Sequence, residues 1–289
     1  MKLKKAITIL IAVTMLVAAM PLTAAAGAGD VVSLGADLTT GQQDQMLNRF
    51  GVSRDDADVK LITVSIQDVK EHLEGIATRE NIGTKAISSA YVKLLPEGEG
   101  LGVETHNVTW VTGEMYINAL VTAGVEDADV IVAAPFNVTG TTALTGIMLA
   151  FEEATGENLS SAAKDAANQE LLITGDMGQS IGKDEAAKLI KNVKEEVISR
   201  NIQTPEDLRQ LIIDAAKELN IELTDAQIDQ IMDLMEKISK LDLNIDDIST
   251  QLGRLGEGIG VLKDTIDNNK GFFQELWEAF ISWLRNIFS

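Results

Sequence analysis

The run Asp129-Val130-Ile131-Val132-Ala133-Ala134 is almost wholly apolar, with no polar alternation to give it a wet face. Such a run reads as a strand covered on both sides, and a strand of that kind requires packed layers above and below its sheet. The residues before it supply part of the cover. Thr112 or Gly113 can cap a helix over 114–123, and residues 101–111 have strand character. The pattern is therefore a βαβ unit, the commonest way to bury a strand on both faces.

Around this unit, residues 30–155 alternate short strand-like and helix-like stretches. Residues 31–34 and 59–65 read as strands, Thr39 and Thr40 cap a helix running towards Phe50, and a helix is expected over 68–75. Residues 86–95 and 101–111 are separated by Pro96-Glu97-Gly98-Glu99-Gly100, a turn-rich spacer of hairpin length, so these strands are expected to be antiparallel neighbours. The apolar phase of the second strand shifts between Val103 and Val108, which places a bulge or bend near His106 and Asn107. After Pro135, the polar stretch from Asn137 to Thr142 leads into a helix carrying Leu144, Ile147, Met148 and Phe151, closed by Gly156.

From Leu159 onward the text is helical almost throughout. A helix over 159–173, broken by Gly175, Gly178 and Gly182, resumes over 184–200. Thr204-Pro205-Glu206-Asp207 and Thr224-Asp225-Ala226-Gln227 are helix starts, the second a capping box. Leu241, Ile245, Ile248, Leu252, Leu255, Ile259, Leu262 and Ile266 recur in alternating fours and threes, a coiled-coil seam expected to fold back on Ile228, Ile231, Met235 and Ile238. The expected architecture is an α/β or α+β N-terminal domain with a mixed sheet over 29–156, a helical region with a coiled-coil-like hairpin over 157–269, and an amphipathic helix over 270–289.

The two ends carry the clearest information on address. Lys2, Lys4 and Lys5 precede an uncharged apolar stretch and then small residues at Ala24, Ala25, Ala26 and Ala28, the three-part pattern of a secretory signal peptide occupying 1–28. At the other end, Phe272, Phe273, Leu276, Trp277, Phe280, Trp283, Leu284, Ile287 and Phe288 recur three and four apart and form one broad apolar face. Burying each large side chain is worth about 1.5–3 kcal/mol, so this stripe is expected to find cover. That cover is the chain's own helices, a membrane surface or a protein partner; charge does not favour a membrane, because Lys270 and Arg285 are offset by Glu275 and Glu278.

The formal net charge is −20, and removal of the signal's three lysines makes it more negative. Nucleic acid is excluded as a partner on that ground. The absence of cysteine excludes disulfides and thiolate catalysis, and an exported, cysteine-free, acidic chain suits a Gram-positive surface.

The segments Val32-Ser33-Leu34-Gly35-Ala36-Asp37-Leu38-Thr39, Ile82-Gly83-Thr84-Lys85-Ala86-Ile87-Ser88-Ser89-Ala90-Tyr91-Val92, Asn107-Val108-Thr109-Trp110-Val111-Thr112, Ala128-Asp129-Val130-Ile131-Val132-Ala133-Ala134-Pro135-Phe136 and Gly140-Thr141-Thr142-Ala143-Leu144-Thr145-Gly146 resemble the YpuA-like family of secreted Gram-positive proteins, classed as a domain of unknown function. The resemblance covers most of the mature chain. It implies export and association with the cell envelope, and it carries no reaction or catalytic residue.

Motifs for chemistry are sparse. Ser161-x-x-Lys164 lacks the companion motifs of a serine acyltransferase, and His72 and His106 are too few for a histidine metal site. Asp242-x-Asn244-x-Asp246 opens like a calcium loop, but Asp247 and Gly253 stand where glycine and a closing glutamate belong. No metal or cofactor is therefore assigned. The place expected to hold a ligand is the loop bearing Asn137, Thr139, Gly140, Thr141 and Thr142, which follows a buried strand and opens a helix, with His106 and Asn107 at the neighbouring bend. The expected function is a non-catalytic recognition and attachment module of the cell envelope; a hydrolase of wall or surface polymer and a small-molecule binder are the alternatives.

Overall fold

The computed structural model describes residues 29–73, 84–200, 202, 204–243 and 245–253. The expected signal peptide, the terminal aromatic stripe and the seam beyond Gly253 lie outside the described residues. In the first part the strands are β1 (Asp30–Gly35), β2 (Val59–Val64), β3 (Ser89–Leu94), β4 (Gly102–Val108) and β5 (Ala128–Val138), with helices α1 (Thr40–Phe50), α2 (Ile66–Leu73), α3 (Gly113–Ala123) and α4 (Thr141–Thr155). The strands form one mixed sheet in the order β2-β1-β3-β5-β4.

The βαβ unit is present: β4 and β5 pair in parallel across α3. The expected hairpin is not. β3 pairs antiparallel with β5, so β5 lies between β3 and β4. The reason is visible at Asp127, where the chain enters β5. Its carbonyl accepts from Leu95 N at 2.7 Å and its carboxylate accepts from Gly100 N at 2.7 Å. The spacer thus wraps around the start of β5 instead of closing a two-stranded turn, and the apolar strand takes a position flanked on both edges.

Alternation along the central strands divides the core. Ala90, Val92, Val130 and Val132 face α3 and α4, where they meet Tyr116, Leu120, Leu144 and Ile147. Tyr91, Ile131 and Ala133 face Met46, Leu47 and Phe50 of α1. The Phe50 and Tyr91 rings stack with centroids 6.2 Å apart. α1 starts in a capping box between Thr39 and Gln42, as its sequence requires.

The second part comprises α5 (Ser161–Ile181), α6 (Lys183–Arg200), α7 (Pro205–Glu218), α8 (Asp225–Ile238) and α9 (Ile245–Leu252). The expected caps at Thr204 and Thr224 hold, with Pro205 in the first turn of α7. The expected breaks at Gly175 and Gly178 do not occur; α5 runs through both and stops before Gly182. A Cβ at Gly175 would overlap the Trp110 ring, with Cε2 only 2.8 Å away. This glycine is a seat for Trp110 rather than a breaker, a role set by a residue 65 positions away. Within the described part of the heptad seam, Leu241 lies against the helical core while Ile248 and Leu252 enter the sheet core. Gln251 fixes that docking, accepting from Asp127 N at 2.8 Å with its side chain and from Leu101 N at 3.1 Å with its carbonyl.

Where α5 and α6 cross α3, charge is buried. The side chains of Lys194 and Glu170 are 0% and 1% exposed. Lys194 Nζ donates to Glu170 Oε1 at 2.8 Å, to Asn118 O at 2.7 Å and to Thr122 Oγ1 at 3.0 Å. Thr122 Oγ1 in turn donates to Glu170 Oε2. All three ammonium hydrogens are used, and both carboxylate oxygens are engaged. Lys194→Met strands the Glu170 carboxylate and is expected to cost about 3–5 kcal/mol in chemical denaturation, whereas combining it with Glu170→Leu recovers much of that loss. A Gly175→Ala change is expected to cost about 1–3 kcal/mol by overpacking against Trp110, read in the same experiment.

Candidate functional site

The threonine loop is largely occupied by the protein itself. Pairing runs from His106 with Ala133 to Val108 with Val138, so the expected irregularity near Asn107 is present and the extra residues lie on β5. Pro135 has no N–H to give the ladder there. Asn107 adopts φ 58°, and its Nδ2 donates to Ala134 O at 2.7 Å, taking up a carbonyl that the broken ladder leaves. Asn137 and Val138 continue as strand, with Asn137 exposed. Beyond them, the Val138 carbonyl accepts from Thr109 N at 2.9 Å and the Thr139 carbonyl accepts from Trp110 N and Val111 N at 3.3 and 3.2 Å.

Gly140 sits at φ 100° as the N-cap of α4. Its openness is filled: a Cβ there would overlap Val108 Cγ1 and lie 2.6 Å from Tyr116 Oη, and that hydroxyl donates to the Gly140 carbonyl. Thr141 and Thr142 are buried at 2% and 9% exposure, and Thr139 is exposed. His106 is drawn elsewhere. Its Nε2 lies 2.9 Å from Glu104 Oε1, without the alignment of a hydrogen bond. Burial holds the His106 pKa below its ordinary value, aided by the charge of Arg49 on α1 and opposed by Glu104. The structure therefore joins Thr139, Gly140, Thr141 and Thr142 in one turn at the end of β5, and sets His106 in a small charged group with Glu104 and Arg49.

Other motifs take ordinary structural places. Ser161 begins α5, and Lys164 Nζ pairs with Glu152 Oε1 at 2.9 Å. Asp246 and Asp247 occupy the first turn of α9, where a helix dipole favours acids. Among the described residues no group of three or more His, Asp or Glu is placed to hold a metal ion.

A cleft that motif reading did not find lies between α3 and α6. Glu114 and Asn118 line it from α3; Asp184, Glu185, Ala187, Lys188 and Lys191 line it from α6, with Leu219 at the end of α7, enclosing about 510 Å³. Glu114 and Asn118 are one helical turn apart, as are Asp184 and Lys188, so each face was written in the spacing. Their juxtaposition was not. Burial raises the Glu114 pKa, the Asp184 charge adds to the rise, and Lys188 and Lys191 oppose it. Asn118 is 1% exposed; its Nδ2 donates to Ala187 O at 2.9 Å, and its Oδ1 has no partner.

Two outcomes follow from this geometry. Gly140→Ala should cost more than about 1 kcal/mol in chemical denaturation, because it adds both a strained positive φ and an overlap with Tyr116 and Val108. Glu114→Gln should raise stability at pH 7, since the native site disfavours the Glu114 charge. That gain should shrink as pH falls through the raised Glu114 pKa and vanish below the ordinary carboxylate range, where glutamate is protonated in folded and unfolded chains alike. Thermal unfolding of the two proteins across pH checks the sign.

Residues 34–255 match the model of a family described as "Protein of unknown function (DUF1002)". The match runs from the end of β1 past α9, so it takes in the sheet and the helices together. The chain is 39% identical over 259 residues to "Uncharacterized protein YpuA" of Bacillus subtilis (strain 168), covering 89% of this chain and 88% of that protein. No solved structure matches. On the family match over residues 34–255 and on an identity of 39% over most of both chains, this chain belongs to the DUF1002 family of unknown function.

Proposed function

We propose that this protein is an exported cell-envelope component that acts by recognition and attachment. The observation that carries the proposal is the pairing of an export-type N-terminal segment with a terminal stripe of Phe272, Phe273, Trp277, Phe280, Trp283 and Phe288. Similarity to a Bacillus subtilis protein over most of both chains supports a Gram-positive setting. The folded body supports recognition through its polar α3–α6 cleft. The hydrolase alternative loses support at the threonine loop, where the Gly140 carbonyl is already bonded to Tyr116.

Attachment is tested by purifying the mature chain with and without residues 271–289 and measuring flotation with phosphatidylcholine and with phosphatidylglycerol vesicles, together with molecular mass. The full chain should float with phosphatidylcholine and less with phosphatidylglycerol, whose anionic surface repels a chain of net charge −20, or should form a defined oligomer; the truncated chain should do neither. Two forms that both stay off vesicles as identical monomers would overturn the attachment reading.

A further inference from the structure

We propose that the α3–α6 cleft is a binding site for a small zwitterion carrying a primary ammonium and a carboxylate, the chemistry of a free α-amino acid or of a short peptide's end. The inference rests on the recognition half of the function proposed above, whose site it shares, and does not depend on attachment.

The acceptor half of the site is Asn118 with its acidic neighbours. The bond from Nδ2 to Ala187 O fixes the amide, so the side-chain atom left over is Oδ1, an acceptor only. It is buried and unpartnered, an unfavourable condition that an arriving donor would relieve. Glu114 stands one turn before it on the same helix, and Asp184 faces Glu114 from α6 closely enough to disfavour its ionisation. An ammonium group has three donors, and Asn118 Oδ1, Glu114 and Asp184 are three acceptors. Placing a cation among them would satisfy the amide and relieve the repulsion between the two carboxylates.

The anionic half of the ligand is assigned to Lys188. Lys191 is already paired with Glu195 at 3.2 Å. Lys188 lines the same cleft one turn along from Asp184 and, among the described residues, forms no ion pair within 4 Å. A lone cation in water would be served by the acids alone; the lysine beside them selects a ligand with both signs. Leu219 supplies an apolar wall for a short side chain, and a volume of about 510 Å³ falls in the usual range for small-ligand clefts.

Calorimetric titration of the purified mature chain tests the idea, with L-alanine, alanyl-alanine, ethylamine and propionate as probes, repeated on the form lacking residues 271–289. L-alanine or alanyl-alanine should bind saturably, the tighter of the two distinguishing a free amino acid from a peptide end. Ethylamine and propionate should each bind at least tenfold more weakly. Asp184→Asn and Lys188→Gln change exposed side chains and should fold normally by circular dichroism, yet each should weaken binding at least tenfold. Asn118→Leu should abolish it; should that variant fail to fold, the two α6 variants carry the test alone. Loss of the terminal stripe should leave the titration unchanged. The proposal is overturned if neither zwitterion saturates the protein, if ethylamine binds as tightly as alanine, or if both α6 variants bind like the wild type.

Discussion

The cluster of Lys194, Glu170, Thr122 and Asn118 holds the two halves of this protein in one register. Lys194 comes from α6, Glu170 from α5, and Thr122 and Asn118 from α3, the crossover helix of the sheet. Asn118 also donates back to the α6 backbone at Ala187. Apolar packing alone is tolerant of sliding, because any arrangement that removes similar area from water gains similar energy. A buried charge is intolerant: one turn of slippage along α5 or α6 would leave an ammonium or carboxylate without its partner. The pair need not add much net stability to serve as a selector among alternative helix packings.

The same cluster ties the core to the cleft. Asn118 contributes its backbone carbonyl to Lys194 and its side-chain amide to Ala187, and the same residue lines the α3–α6 space. The position of a recognition group is therefore fixed by bonds that also fix the fold, a suitable basis for a preorganised site. At the end of β5, the break at Pro135 is absorbed by Asn107, and Tyr116 fills the space over Gly140. A loop that combines glycine with three threonines looks open in the text, and a tyrosine from the neighbouring helix closes it.

Features set by neighbouring residues are legible in the sequence. Caps at Thr39, Thr204 and Thr224 follow from side chains three residues apart, and the crossover unit around α3 follows from the contrast between an amphipathic stretch and an unrelieved apolar one. The bend at Asn107 showed as a phase shift in apolar spacing. The departures from local expectation share one physical origin. The Pro96–Gly100 spacer has the composition of a hairpin, but whether it closes one depends on Asp127, and Gly175 breaks a helix only if no ring comes to occupy the space beside it. The cleft was missed for the same reason, since its two faces belong to helices whose contact no spacing rule specifies.

The sequence by itself determined the class of architecture, the helix starts, the central strand and the chemical character of both ends, because each depends on residues within a turn or two of one another. Only the tertiary structure decided which strand lies beside β5, why α5 passes through two glycines, how Lys194 meets Glu170, and that Glu114, Asn118, Asp184 and Lys188 share one space. Those outcomes turn on contacts between segments tens of residues apart, where the free energy of burial and of satisfying polar groups selects among arrangements that local preference leaves equivalent.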